Sequence, residues 1–457
     1  MAEDGHTSEE QVSLIKPESG CKLYKRRWLM LFIFAIFSMS NYYLWGQYAA
    51  IFTAVRIYYN TTRDIVDLLS STSLVTYVVA IVPVMWLTEK TDLKIVLIVG
   101  TVFQCVGAWI RYIGTLNYNI PLNFIGQTLC AMSQPCCFGM SSQMAGTWFG
   151  IDEVALSNGI GFAAVEIGVG LALIICPQVI YSGPDLAHQM DILFLWTAII
   201  MTLIVPLTIF VFEAEPPLPP SRPRMNLEKA GKQESAWKSL WFVCSNWNFM
   251  LLLFANTFNL AFLSLIIFKL DETLSLTLTT NANVVIQYVG LAKILAVIVG
   301  PMAAGHWLDK SRSFRRTFIA SVFCNAVTVF LFTLSIYLDC AVCVVIDMVI
   351  YEFFAACTII IGFEYAIELT YPEPEIMSSG LLNAAGYAFA CVMMLLYFVV
   401  LTATNIFVTM GMFCAMLGLG FILALFISSD YLRQNADMDN YNEPEIPHND
   451  TEMTKCE

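Results

Sequence analysis

The chain has 457 residues, of which 58% are hydrophobic and only 13% charged. Soluble domains carry about 25% charged residues, so a water-soluble globular protein is excluded and a lipid-embedded one is indicated. The formal net charge of −13 lies largely in two polar tails, at Glu3, Asp4, Glu9 and Glu10 and again from Asp437 to Glu457; no basic face exists to neutralise phosphates, which excludes nucleic acid as a partner.

Residues 1–27 are polar and read as a cytoplasmic tail rather than a cleavable signal peptide. Within them Glu10-Gln11-Val12-Ser13-Leu14-Ile15 has the form of an acidic dileucine sorting signal. A bilayer core takes about 20 apolar residues per helix, and about twelve such windows follow. In the first half, 28–212, they run Trp28–Phe52, Leu68–Leu87, Lys94–Ile113, Leu122–Phe149, Ala155–Ile180 and Ile192–Phe212. A polar linker, 213–248, opens stiffly on Pro216-Pro217-Leu218-Pro219-Pro220. The second half, 249–427, runs Phe249–Phe268, Val284–Leu308, Thr317–Leu338, Ala341–Leu369, Ser378–Thr402 and Phe407–Ile427, and an acidic cytoplasmic tail, 428–457, closes the chain.

Basic residues fix the orientation, because short cytoplasmic loops collect Lys and Arg. With both termini inside, the inner segments hold Lys16, Lys22, Lys25, Arg26, Arg27, Lys90, Lys94, Arg222, Arg224, Lys229, Lys232, Lys238, Lys310, Arg312, Arg315 and Arg316. The outer loops hold only Arg56, Arg63, Arg111 and Lys269. The sequon Asn60-Thr61-Thr62 then lies outside, where Asn60 can be glycosylated, whereas Asn449-Asp450-Thr451 lies inside and is inert. Most cysteines, such as Cys105, Cys130, Cys176, Cys357 and Cys391, sit in apolar runs and read as small packing residues. Neither a disulfide framework nor a C-x-x-C metal pattern is expected, and no metal or cofactor.

The halves echo one another. Trp86-Leu87-Thr88-Glu89-Lys90 follows the second span and Trp307-Leu308-Asp309-Lys310 the eighth, the same place in each half. An all-α membrane protein with two six-helix halves around a central cavity resembles the twelve-helix major facilitator fold. Gly305-His306-Trp307-Leu308-Asp309-Lys310 resembles that fold's loop signature G-x-x-x-D-[RK], in which glycine admits close helix approach and an acid beside bases makes a breakable contact. A cytoplasmic gate is expected from Gly305, Asp309, Lys310 and Arg312, with Glu364 and Glu368, four apart on one helix face, as acidic partners. The plain alternative is a static ion pair.

Further segments point to a narrower family. They are Arg26-Arg27-Trp28, Ser38-Met39-Ser40-Asn41, Leu44-Trp45-Gly46-Gln47-Tyr48, Gly107-Ala108-Trp109-Ile110, Trp148-Phe149-Gly150, Gly362 through Glu373, and Ser378-Ser379-Gly380-Leu381-Leu382-Asn383-Ala384. Over Arg26 to about Ile427 the chain resembles the feline leukaemia virus subgroup C receptor-related transporters. That resemblance implies an alternating-access carrier of a small organic solute. Members are associated with choline and ethanolamine, with haem and, in a more distant branch, with pyridoxine.

Asn41, Trp45 and Tyr48 follow i, i+4 and i+7 on one face of the first span. A tryptophan flanked by tyrosine attracts a quaternary ammonium through its ring quadrupole; the plain alternative is an interfacial anchor. The resemblance implies that Trp45 contacts choline and that Gln134 contacts the ligand's hydroxyl end; Pro135 after it loosens the fourth span. The chain departs from the family in the seventh span, where Leu263 and Ser264 replace a tyrosine, and in the eleventh, where Tyr387 stands for a glutamine. Tyr387 restores an aromatic wall, with Asn383 beside it.

Glu166, Lys293, Asp347 and Glu352 interrupt apolar stretches and are functional candidates by position. Glu166 is suited to neutralise a cation or to carry a coupling proton, and Lys293 to pair an acid or to hold an anion. No histidine lies mid-membrane to ligate haem axially. No Walker loop or catalytic cluster is present, so the chain is read as neither ATP-driven nor an enzyme. Facilitated uptake of choline or ethanolamine is the leading expectation, by a monomer at the plasma membrane, with the endosomal or lysosomal membrane as the alternative site. A haem exporter, a proton-coupled vitamin carrier and a receptor or scaffold are the rivals.

Overall fold

A computed structural model describes residues 22–150, 153–180, 185–220, 236–278, 282–311, 313–370 and 375–428. Both the Glu10–Ile15 signal and the Asn449 sequon lie outside them. The first half comprises α1 (Arg27–Ala50), α2 (Phe52–Tyr58), α3 (Arg63–Lys90), α4 (Leu93–Leu116), α5 (Ile120–Met132), α6 (Pro135–Trp148), α7 (Val154–Val179) and α8 (Leu186–Pro206), which ends in a π turn (Leu207–Val211). After the linker come α9 (Ala236–Ser245), α10 (Trp247–Thr277), α11 (Ala282–Ser311), α12 (Phe314–Tyr337), α13 (Ala341–Thr370), α14 (Glu375–Ala403) and α15 (Ile406–Leu425).

Eleven helices among the described residues are long and apolar enough to cross a bilayer. The remaining crossing is made by α5 and α6 together. Pro135 lacks the N–H that would bond back to Ala131, so the span breaks at Ser133 and Gln134 and closes with short three-residue bonds, Gln134 N to Ala131 O at 3.1 Å and Cys137 N to Gln134 O at 2.9 Å. Side-chain caps set other starts: Asn119, Asn246 and Asn405 accept from Leu122 N, Phe249 N and Val408 N.

Three sequence readings change. The seventh span does not stop at Phe268 but continues as α10 to Thr277. Lys269 is therefore a buried helix residue and not an outer-loop base, and Arg111, inside α4, is fully buried as well. Cys340 and Cys343 form a disulfide at the start of α13, a C-x-x-C pair that packing by apolar context did not anticipate. Within the linker, α9 carries Trp241, 78% exposed, just ahead of Trp247, 74% exposed. Such rings suit a headgroup layer.

The halves meet through α1, α3, α6 and α7 on one side and α10, α11 and α14 on the other. The tightest crossing is between α7 and α11. There a Cβ on Gly170 would lie 3.0 Å from the Gly290 carbonyl oxygen, and one on Gly290 the same distance from that of Gly170. Only glycine allows two backbones this close.

Candidate functional site

Trp45 leaves α1 towards the second half and is 4% exposed. Its ring centre is 4.6 Å from that of Phe268 on α10 and 5.9 Å from that of Tyr42. The Tyr42 hydroxyl meets the Tyr387 hydroxyl of α14 at 3.1 Å, and the Tyr387 ring lies 4.5 Å from that of Tyr77 on α3. Five rings from four helices thus form one cluster across the junction of the halves. Trp45 packs on protein here, not in a lipid-facing belt.

Trp45 Nε1, Tyr77 Oη and Asn383 Oδ1 are buried in this region without a hydrogen-bond partner. Buried polar atoms are rarely left so, because each costs about 1–3 kcal/mol. Orphaned groups beside an aromatic cluster are what a ligand with a cationic and a hydroxyl end would satisfy. Gln134 is 3% exposed and stands in the break of the fourth span.

Tyr48 and Asn41 do not join the cluster. Tyr48 donates to Asn123 Oδ1 at 3.0 Å, packs on Phe194 and lies 4.4 Å beneath the Arg111 guanidinium. Arg111 donates to Gln47 Oε1 at 2.7 Å. The buried arginine draws the π face of Tyr48 into the interior of the first half. Asn41 donates to Cys130 O at 3.2 Å and to Ser133 Oγ, bracing the break that Pro135 creates. One helix face therefore serves two neighbours. Sequence reasoning missed Tyr42, Tyr77 and Phe268 for the cluster, and missed Arg111, although a lone arginine between Ile110 and Tyr112 in an apolar run was its signal.

Two ionic clusters also join the halves. At one end of the bundle Arg63 pairs with Glu272 at 2.6 Å, Lys269 with Asp67 at 2.5 Å and with Glu272 at 3.0 Å, and Thr53 donates to Asp271 at 2.7 Å. Lys269 also lies 5.0 Å over the Tyr397 ring, and a cavity of about 400 Å³ opens beside Arg63, Lys269, Glu272, Tyr397 and Asn405. Near the middle of three spans, Lys293 of α11 sits 2.7 Å from Glu166 of α7 and 2.8 Å from Glu352 of α13. Lys293 thus takes the acid-paired option that its sequence position left open. Asp347 accepts from Ser335 Oγ.

At the opposite end Gly305, Asp309 and Lys310 lie in the last turns of α11, and Glu364 and Glu368 in the last turns of α13. Glu368 is buried and Glu364 half-buried. The side chains of Gly305's neighbours Asp309 and Lys310, and all of Arg312, fall outside the described residues. Asn60 is exposed in the outer turn between α2 and α3, with φ of 46°. No metal-binding group of three or more His, Cys, Asp or Glu occurs among the described residues.

The Major Facilitator Superfamily sequence profile matches residues 28–388. The chain belongs to the major facilitator superfamily. Within it the chain falls in the feline leukaemia virus subgroup C receptor-related branch. It is 30% identical to the choline/ethanolamine transporter flvcr2a of Danio rerio over 430 residues, 92% of this chain and 90% of that one. The choline/ethanolamine transporter FLVCR2 of Rattus norvegicus is 30% identical over 443 residues, covering 93% and 78% of the two chains. An uncharacterized MFS-type transporter of Caenorhabditis elegans, C09D4.1, is 31% identical over 95% of this chain and 74% of its own. In fold the chain is similar to the proton:xylose symporter XylE, with a TM-score of 0.67 at 12% identity over 90% of this chain and 99% of that one. It is likewise similar to the fucose:proton symporter FucP of E. coli, with a TM-score of 0.63 at 12% identity over 87% and 99%. This major facilitator protein is an integral, multi-pass membrane transporter of a small molecule and not an enzyme.

Proposed function

We propose that this transporter carries choline or ethanolamine into the cell by facilitated uptake, through alternating access of its two halves. The observation that carries the reading is the cross-half aromatic cluster that includes Trp45. A cation held over such rings away from water gains about 2 kcal/mol. Trp45, Tyr42 and Tyr387 hold the cationic end, and Gln134 and Asn383 orient the hydroxyl. Because the cluster belongs to both halves, occupancy and rocking are coupled.

Charge asymmetry supports placing the Arg63–Glu272 end outside, as the outer gate, closed in this structure. Asp309, Lys310 and Arg312 with Glu364 and Glu368 then form the inner gate. The same orientation exposes Asn60 to glycosylation at the plasma membrane, where the protein acts as a monomer. Haem is disfavoured because both carboxylates around Lys293 leave it no charge to offer a propionate.

Saturable uptake of labelled choline in cells expressing the chain tests the reading, beside Trp45→Ala and Gln134→Ala matched for surface amount. Loss of uptake in both variants is expected. Background-level uptake by surface-expressed wild type overturns choline import.

A further inference from the structure

We infer that the Glu166–Lys293–Glu352 triad releases one proton when the organic cation binds, so that each cation carried in is exchanged for one proton carried out. This rests on the cation reading above and replaces its uncoupled uptake with proton-coupled exchange.

The triad holds two acids for one base, near the midpoints of α7, α11 and α13. Its side chains are sealed: Lys293 is 1% exposed, Glu352 2% and Glu166 9%. Fully ionised, it carries one uncompensated negative charge in a medium that disfavours it. The titratable groups that the surrounding helices bring to it are tyrosines and a cysteine: Tyr351 and Tyr387 within reach of its acids, and Tyr42 and Cys137 beside Tyr387. Asp347, further along α13, is tied to Ser335. Arg111 approaches α1 from its other side, at Gln47 and Tyr48. The remaining charged groups on these helices, among them Arg27, Asp191, Lys269, Asp271, Glu272, Arg315 and Arg316, stand near helix ends.

With no other cation to balance it, the empty triad keeps one proton, on Glu352 as its more buried acid. It is then neutral: one ammonium, one carboxylate, one carboxylic acid. Glu166 lies within electrostatic reach of Tyr387 in the aromatic cluster, and both acids within reach of Tyr351, whose hydroxyl is buried without a partner. A permanent cation entering the cluster adds one positive charge. The carboxylic acid then gives up its proton to water on whichever side is open, and the loaded site is neutral again: two cations against two carboxylates. Both states that cross the membrane are uncharged, which is the cheaper course in lipid.

The test uses the purified full chain in proteoliposomes with an entrapped pH indicator and labelled choline. Choline entry is expected to make the lumen more alkaline, and an acidic lumen to drive choline accumulation above its equilibrium level. Affinity is expected to rise with pH, by up to about tenfold per unit for one proton released. Glu352→Gln keeps the Lys293–Glu166 pair and fixes the triad as neutral; it is expected to abolish the pH signal and the pH dependence and to weaken choline binding. Glu166→Gln is the second variant should the first not fold. Saturable wild-type choline transport with no proton movement and no pH dependence overturns the exchange and leaves the carrier reading standing. Absence of choline and ethanolamine binding overturns both.

Discussion

The outer ionic cluster and the mid-membrane triad both tie the halves together with one lysine between two acids, yet they meet water differently. At the outer end Arg63 is 38% exposed and Asp67 13%, beside an open cavity. The triad is sealed on every side, with no member above 9%. When the halves part, the outer charges are rehydrated through the cavity beside them. Lys269 and Glu272, 2% and 3% exposed, are buried while the halves are together, and only the pairing of the half-exposed Arg63 falls in the range of about 0–1 kcal/mol. The triad has no water to fall back on. The first arrangement suits a gate that opens in each cycle, the second a group whose charge must be settled by protons or by substrate.

The contrast is broken most directly at the two lysines. Lys293→Met leaves two carboxylates buried without a base and is expected to cost about 3–5 kcal/mol, read as a large fall in melting temperature in detergent. Lys269→Met leaves Glu272 paired with Arg63 and is expected to fall far less; equal losses would erase the distinction. Next in size, Trp45→Ala is expected to weaken choline by about 2 kcal/mol, or about 30-fold, compared at equal amounts of folded protein because removing so buried a ring also costs about 3–5 kcal/mol of stability. Tyr48→Phe serves as its control. It loses the Asn123 bond inside the first half and is expected to cost about 1 kcal/mol of stability with choline affinity intact. A fall in affinity there would place Tyr48 at the substrate after all. Arg63→Ala is expected to shift the equilibrium towards the outward-open state about two- to fivefold, measured as faster labelling of Phe268→Cys from outside. Smallest of all, Asn60→Gln is expected to remove a glycan-dependent gel shift and to leave uptake unchanged.

The spans were readable because apolar length is a property of each segment alone. The broken fourth span was readable too, from Pro135. What hydropathy misjudged were charged residues that burial tolerates through partners elsewhere in the chain. Lys269, Asp271 and Glu272 end the seventh span by hydropathy, but in the fold Lys269 and Glu272 are paired from α3 and Asp271 accepts a hydrogen bond from Thr53 of α2. Arg111 was assigned to a loop for the same reason, although Gln47 and Tyr48 receive it inside. In the aromatic cluster, Trp45 and Tyr387 are legible by residue type and place in the spans. Tyr42, Tyr77 and Phe268 are not, since contact between helices of opposite halves leaves no period in any one of them. Periodicity likewise grouped Asn41 and Tyr48 with Trp45, but it gives a direction around a helix and not the neighbour that waits there.

The Gly170–Gly290 crossing sets the mechanical scale of the whole device. Backbone meets backbone there, with Leu173, Ile174 and Ile294 packed beside the two glycines, and we propose this contact as the fulcrum of the rocking. In any rigid rocking about it, displacement grows with the length of the lever arm. Glu166 lies one helical turn from Gly170, about 6 Å along the axis, so its pairing with Lys293 survives the stroke. The Arg63–Glu272 contact, at the end of the bundle, takes the full throw. A cysteine pair placed across α7 and α11 at this level would cross-link in both the inward- and outward-facing states, whereas one across Arg63 and Glu272 would do so in only one.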